Sequence, residues 1–321
     1  MFDTKFFPSA KKFWYMGKFY EWQTPNIHCM SHVLHYGSSV FEGIRAYETP
    51  RGPTIFRLPE HIDRFFYSAS VLGMKVPYTK DEIIEAIKLT IQENKLNSAY
   101  IRPLLFFSYG NLGLIPKACP VKLIIGAWEW EAYLGKEIWE KGAHVLILPW
   151  RRIHHSQIAI SAKLGGLYVQ SQIGGGYARK QGYDEGVFLN LEGNVAEGPG
   201  ENILIVKEGR VKTNDKKESI LEGITQTSLL EIATDLGYAT EIGHITRAEF
   251  FNADEAFFSG TAVEIAPITK VTDDSAPKTE KKEYIIGKGK PGEITSHLAK
   301  VYQEAVRGKI KEYEKWLTYL D

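Results

Sequence analysis

The sequence predicts an α+β protein of two domains. Strand-like and helix-like segments follow one another without strict alternation, and a polar connection interrupts them near Glu129–Gly142. Of 321 residues, 44% are hydrophobic, ordinary for a chain that buries a real core. The expected division is a smaller domain over 1–130, a connection over 131–142 and a larger domain over 143–321.

Each element has a local reason. Phe13–Met16 followed by Gly17-Lys18 reads as the start of a hairpin, and Val40–Tyr47 and Thr54–Arg57 read as strands. Pro59 opens a helix at its first position, where the missing N–H leaves nothing unpaired. Ile62, Phe65, Phe66, Ala69 and Leu72 recur there at helical spacing, and Gly73 stops it. A helix over Lys80–Lys95 and strands over Ala99–Ser108 and Val121–Trp128 complete the first half. In the second half, Val145–Leu148 is a buried strand and Leu167–Gln181 a helix. Gly174-Gly175-Gly176 lies inside that helix at ~1 kcal/mol per glycine against alanine. Tight packing on another element accounts for such small residues. Strands at Glu185–Asn190, Ile203–Lys207 and Arg210–Thr213 precede a helix over Ile224–Leu236, with Leu229, Ile232, Ala233 and Leu236 inward and Gly237 as its stop. Ala256-Phe257-Phe258 ends a strand before the turn Ser259-Gly260-Thr261-Ala262. Lys278–Lys290 reads as a solvated hairpin, and a helix over Glu293–Thr318 closes the chain.

Lys+Arg and Asp+Glu both number 39, so nothing global attracts nucleic acid or anionic lipid. No apolar run is long enough to span a bilayer, and Met1–Lys12 lacks a signal-peptide core. Cys29 and Cys119 make no C-x-x-C pair, which fits a reducing cytoplasm. His28, His32 and His35 fall at i, i+4 and i+7 near Cys29, a weak metal pattern without H-E-x-x-H or paired cysteines, and no metal is expected.

The chemistry gathers around Lys163, in Ala159-Ile-Ser-Ala-Lys163-Leu-Gly165-Gly166-Leu-Tyr168. A lysine in an apolar setting loses its proton more readily, because burial disfavours the charged form, and a neutral amine can form a Schiff base. The two glycines let a flat cofactor approach the backbone. They follow the lysine, so this is not a P-loop. Glu197, in Gly193-Asn-Val-Ala-Glu197-Gly-Pro-Gly-Glu201-Asn202, offers a carboxylate to a pyridinium nitrogen. A Schiff-base lysine with such an acid is what pyridoxal phosphate (PLP) asks of a protein. Gly223-Ile224-Thr225-Gln226 opens a helix whose first amides and Thr225 hydroxyl suit a phosphate. Arg64, one turn after His61, adds a cation, and Ser259–Ala262 gives a second turn with amides. Each has a plainer reading taken alone: a surface turn at Lys163, an N-cap at Thr225, a solvated arginine at 64, a simple turn at 259–262.

The order Tyr36-Gly-Ser-Ser-Val-Phe41-Glu-Gly43-Ile-Arg45, Glu60-His-Ile-Asp-Arg64, Tyr100-Ile-Arg102-Pro103, Ala162-Lys163-Leu-Gly-Gly166, Glu197-Gly-Pro-Gly-Glu-Asn202, Gly223-Ile-Thr225 and Ser259-Gly-Thr-Ala262 resembles the branched-chain amino-acid aminotransferases. These are PLP enzymes of fold type IV, and the resemblance runs from about Phe13 to the C-terminal helix. It implies a small N-terminal α/β domain and a larger PLP-binding domain with a barrel-like β core. Lys163 would be the Schiff-base lysine and proton shuttle, Glu197 the partner of the pyridine nitrogen, and Tyr168 the partner of the ring hydroxyl. Arg64, Ile224, Thr225 and Thr261 would bind phosphate. The Thr261 and Ala262 amides with Tyr100 would receive the substrate α-carboxylate, and Phe41, Gly43, Trp130 and Tyr133 would wall the side-chain pocket. Tyr36 and Leu114 match positions lent across a homodimer interface.

Arg102 would meet the γ-carboxylate of glutamate with a planar two-pronged contact, while the apolar walls take leucine, isoleucine or valine. The residues alone also allow Arg102 a structural ion pair in the sheet. The implied reaction is reversible ping-pong transamination with 2-oxoglutarate; D-amino-acid aminotransferase and aminodeoxychorismate lyase chemistry share the fold. Two positions depart from the family pattern. Gln226 replaces the usual arginine after Gly-Ile-Thr, and Asn111-Leu112-Gly113-Leu114 differs from the common substrate loop.

Overall fold

A computed structural model describes residues 6–24, 27–130, 134–135, 137–274 and 282–320. The chain divides into two compact units, one of Met1–Glu131, Ala162–Gly166 and Glu304–Asp321, the other of Ala132–Ser161 and Leu167–Gln303. The division is discontinuous, so the segment carrying Lys163 folds with the first unit.

The first unit begins with the expected hairpin, β1 (Lys12–Tyr15) and β2 (Lys18–Glu21). A short helix, α1 (His32–Tyr36), ends at Gly37, whose φ of +63° favours glycine. The predicted strand over Val40–Tyr47 is two strands, β3 (Ser39–Phe41) and β4 (Ile44–Tyr47), broken at Glu42-Gly43. The break has a physical cause: Glu42 is fully buried and turns toward a helix for its partners. Then come β5 (Thr54–Phe56), α2 (Leu58–Val71), α3 (Lys80–Asn94), β6 (Ala99–Phe107) and β7 (Val121–Trp128), close to expectation. Thr79 caps α3, accepting a hydrogen bond from the Glu82 N–H at 3.2 Å while Glu82 answers its backbone.

The antiparallel sheet runs from the terminal strand Leu317–Tyr319 through β5, β4, β6, β7 and β1 to β2, with β3 also on β6. Ile62 and Phe65 of α2 and Ile83, Ile87 and Ile91 of α3 are buried with Ile101 and Leu105 of β6. The terminal strand corrects the predicted helix over Glu293–Thr318. That helix stops at Ala305, Gly308 turns with φ +66°, and a 3₁₀ turn over Lys311–Trp316 buries stacked Tyr313 and Trp316 before the strand.

The second unit starts with α4 (Glu137–Lys141) and β8 (Ala143–Arg151). Val145 and Ile147 of β8 enter one apolar cluster, and Leu146 and Leu148 another. A continuous apolar run marks a strand covered on both faces. Next are α5 (Tyr168–Lys180), β9 (Glu185–Leu189), β10 (Asn202–Lys207), β11 (Arg210–Asn214), α6 (Ile224–Asp235), β12 (Thr240–Gly243), α7 (Arg247–Phe251), β13 (Glu255–Gly260), β14 (Glu264–Asp273), β15 (Lys282–Ile285) and α8 (Glu293–Ala305).

The glycines inside α5 are explained by packing. A Cβ at Gly174 would overlap the Phe188 ring and lie 2.8 Å from Leu148, and one at Gly175 would lie 3.0 Å from Glu185. The mixed sheet runs β12-β11-β10-β13-β14-β8-β9, with β15 also on β14. The strand before Ser259 continues through it to Gly260. Leu236, expected inward, is the exposed C-cap of α6. Part of the expected hairpin over Lys278–Lys290 lies outside the described residues; its remainder pairs as β15 with β14.

Candidate active site

In the first unit, the backbone of Lys163 is held on two sides. Its N–H donates to Ser68 Oγ of α2 at 2.9 Å, and its carbonyl accepts from the Phe41 N–H at 3.2 Å. Nζ stands 4.9 Å from the centre of the Phe41 ring. The side chain is half-buried, more open than the small apolar setting suggests. The following glycines answer to the protein's own chain. A Cβ at Gly165 would overlap Ser39 Oγ, and Gly166 lies against Gly37.

Behind this segment lies an ionic cluster. The buried Glu42 carboxylate accepts from Arg64 Nε at 2.6 Å, Arg64 Nη2 at 2.9 Å and His61 Nδ1 at 2.8 Å. Burial alone would raise the Glu42 carboxyl, but the Arg64 guanidinium and the His61 bond hold it well below the carboxylate range. Burial lowers His61, against the pull of Glu42, and the positive charges of Arg64 and Lys163 lower it further. An ionised carboxylate only accepts, so the His61 Nδ1 carries the proton of that bond. The pair fixes the plane of the Arg64 guanidinium. Arg64 is thus no solvated surface arginine.

Tyr100 and Arg102 stand two apart on β6, and so on one face of the sheet. Arg102 Nη2 donates to Tyr100 Oη at 2.9 Å, and the guanidinium lies 4.6 Å from the Phe41 ring and 5.2 Å from that of Tyr100. Among the described residues, Arg102 Nε is buried with no hydrogen-bond partner and no carboxylate pairs with this guanidinium. No described residue gives Arg102 the structural ion pair in the sheet. Trp130 meets the Tyr100 ring edge-on at 4.5 Å. A Cβ on Gly43 would overlap Tyr100 Oη, so glycine makes room for that hydroxyl. Tyr133 lies outside the described residues.

Tyr36 donates to the Leu112 carbonyl at 3.0 Å and is 46% exposed, while Leu114 is 78% exposed. Both side chains are exposed on the surface of this chain. His32 is buried, with Nδ1 2.7 Å from Ser38 Oγ and Nε2 3.1 Å from the Gly113 carbonyl, so it ties the loop at Gly113 to α1. His35 Nε2 pairs with the Cys29 carbonyl, and His28 packs on Tyr109.

In the second unit, Glu197 is buried and both its oxygens have donors, Arg152 Nε at 2.8 Å and the Leu221 N–H at 3.0 Å. Arg152 is itself buried, with Nη1 3.1 Å from Gln170 Oε1. Arg152 and Gln170 are not among the residues the sequence singles out. An arginine at a strand end carries no sequence signal, and only the fold brings it beside position 197.

Helix α6 begins at Ile224, with Gly223 as its N-cap. Thr225 is therefore not the cap, and it is buried. Gln226 Oε1 accepts from the Gly223 N–H at 3.1 Å and its Nε2 donates to Thr213 Oγ1 at 2.6 Å. These bonds do neutrally what an ion pair would do at this helix start. Thr261 and Ala262 sit half-buried in the turn from β13 to β14, and Tyr168 opens α5 half-buried. Nearby, burial and the charge of Glu185 raise the fully buried Glu201.

Residues 39–271 match the model of the family Amino-transferase class IV. The branched-chain-amino-acid aminotransferase of Pseudomonas aeruginosa is 42% identical over 306 residues, covering 95% of this chain and 96% of that protein. A T.th. branched-chain amino acid aminotransferase with pyridoxamine 5'-phosphate superposes with a TM-score of 0.90 at 42% identity, covering 97% of this chain and 99% of that one. The same T.th. enzyme complexed with N-(5'-phosphopyridoxyl)-L-glutamate gives 0.89 at 41% identity, with the same coverage.

Proposed function

The chain belongs to the class IV amino-transferases, and from that premise we propose that it transfers the amino group of L-leucine, L-isoleucine or L-valine to 2-oxoglutarate with PLP as cofactor. One observation carries the substrate pairing. Arg102 is a permanent cation beside the Phe41 and Tyr100 rings, with a buried N–H that no described residue answers. A glutamate side chain supplies the missing acid, and a branched aliphatic one suits the rings. D-amino-acid aminotransfer and aminodeoxychorismate lysis are less favoured, since the relatives are branched-chain enzymes.

The residues present fit PLP. A lysine is fixed through its backbone, a buried acid is oriented by two donors, and a helix N-terminus offers amides to an anion. When bound, PLP supplies an electrophilic carbon for amines and a ring that draws off negative charge.

The chain does the rest. Lys163 Nζ would be the base that accepts the substrate α-proton and holds it for return. Glu197 keeps a proton on the pyridine nitrogen, and Tyr168 orients the ring hydroxyl. Arg64 and the amides at Ile224, Thr225 and Thr261 hold phosphate. Tyr100 with the Thr261 and Ala262 amides orients the α-carboxylate. Phe41, Gly43 and Trp130 line the side-chain region, and Arg102 reads the γ-carboxylate. Exposed Tyr36 and Leu114 support lending across a homodimer. Free Cys29 and Cys119 support a reducing cytoplasm as its place of work. Among the described residues no helix is long and apolar enough to cross a membrane.

The test is the visible spectrum of the purified protein before and after each amino acid. L-leucine and L-glutamate should convert the imine band to that of the aminated cofactor, each yielding its 2-oxo acid. Conversion by D-alanine instead, or pyruvate released by elimination, would move the protein to the other chemistries.

A further inference from the structure

Resting on the PLP reading, we propose that Asn202 is a positioning residue for the phosphate end of the cofactor, gripping with Glu197 the backbone of a single residue, Leu221. The two ends of Glu197-Gly-Pro-Gly-Glu-Asn202 take opposite sides of it. Glu197 Oε2 accepts the Leu221 N–H at 3.0 Å, and Asn202 Nδ2 donates to the Leu221 carbonyl at 2.7 Å. The gripping loop is itself rigid. The Glu197 carbonyl accepts from the Phe188 N–H at 2.9 Å, the Gly198 N–H donates to the Glu201 carbonyl at 2.8 Å, and Asn202 is buried as the first residue of β10.

A second, independent observation links Asn202 to the helix start. A Cβ on Gly223 would overlap Asn202 Oδ1 and lie 3.1 Å from its Cγ. Gly223 has φ −79°, a conformation open to any residue, so glycine is required there by the side chain of Asn202 and not by the backbone. Asn202 thus touches the chain at 221 and again at 223, immediately before Ile224 and Thr225. Amides bind a phosphate only when their N–H groups converge on it, and a small displacement weakens every bond at once. The acid that answers the ring nitrogen and the amides that answer the phosphate are set at one spacing by this grip. Such a device acts on a ligand bearing both ends and is indifferent to one lacking phosphate.

The experiment measures dissociation constants of PLP and of pyridoxal for the full-length apoprotein, by the absorbance of the bound imine. It compares wild type, Asn202→Ala, Gly223→Ala and the double variant. Asn202→Ala and Gly223→Ala should each weaken PLP at least about tenfold while changing pyridoxal by less than about twofold. The double variant should be no weaker than Asn202→Ala, because the Oδ1 that the new methyl would strike is gone. Equal losses for PLP and pyridoxal would overturn the inference, as would unchanged PLP binding or additive losses in the double variant. If Asn202→Ala does not fold, the PLP-to-pyridoxal comparison in Gly223→Ala decides by the same criteria. Failure of the wild type to bind either aldehyde would instead overturn the PLP reading.

Discussion

Replacing Arg102 with methionine separates the two substrates. On the proposed reading the guanidinium makes two charge-assisted hydrogen bonds to a γ-carboxylate, each worth about 1.5–3 kcal/mol. At the low end their loss is about 3 kcal/mol, or about 10²-fold in kcat/KM for L-glutamate and 2-oxoglutarate. Leucine has no carboxylate at that end. It feels only the loss of the Arg102 Nη2–Tyr100 Oη bond at 2.9 Å, worth about 1 kcal/mol or about fivefold. Methionine preserves the apolar contact with the Phe41 ring, which lies 4.6 Å from the guanidinium. Among the described residues Arg102 Nε is buried without a partner, so the substitution removes an unanswered donor and the melting temperature should hold or rise. The assay follows each half-reaction alone, with one amino acid and no second substrate, by the change in the visible band. A selective loss for glutamate of at least about twentyfold over leucine is expected. Equal losses, or a loss confined to leucine, would refute the reasoning.

Three further outcomes are expected. Gly43→Ala drives a Cβ into Tyr100 Oη, and Tyr100 is hemmed by the Trp128 and Trp130 rings, so KM should rise about tenfold for leucine and glutamate alike in steady-state kinetics. Arg152→Gln leaves the buried Glu197 carboxylate without its cation; urea unfolding should show a loss of about 3 kcal/mol, and an unchanged midpoint would contradict the pairing. Glu201→Gln tests the raised carboxyl. A group raised on folding contributes stability below its ordinary value of 4.5 and loses it as pH rises through its folded value. The melting temperature of the variant relative to wild type should therefore climb as pH rises from 4.5 toward neutrality, and a pH-independent difference would contradict the assignment.

Local patterns make much of the fold legible. The hairpin at Gly17, the helix opened by Pro59 and the buried run Val145–Leu148 declare themselves within a few residues. The glycines of α5 are readable as a packing signal, and Phe188 and Leu148 supply the contact. Long-range partners are not readable. Glu42 breaks a strand because Arg64 and His61 wait across the fold, and no neighbour in sequence announces it. The predicted C-terminal helix runs too far because apolar residues continue at helical spacing past Gly308, whereas Trp316 packs on Phe56 and the chain turns into a strand. β14 is hidden in the sequence because Pro267 interrupts its pattern, yet Phe257 pairs with that residue in register. The candidate site shows the same split. Lys163, Glu197 and Thr225 are legible as types in order, whereas Arg152, Gln170 and the grip on Leu221 exist only through folding.

The proposed covalent attachment at Lys163 is tested most directly by reducing the holoprotein with borohydride, digesting it and locating the pyridoxyl label by mass spectrometry. A single label on the peptide carrying Ala162-Lys163-Leu164 is the expected result. A label on any other lysine, or none, would contradict the assignment of Lys163 and with it the chemistry built on that residue.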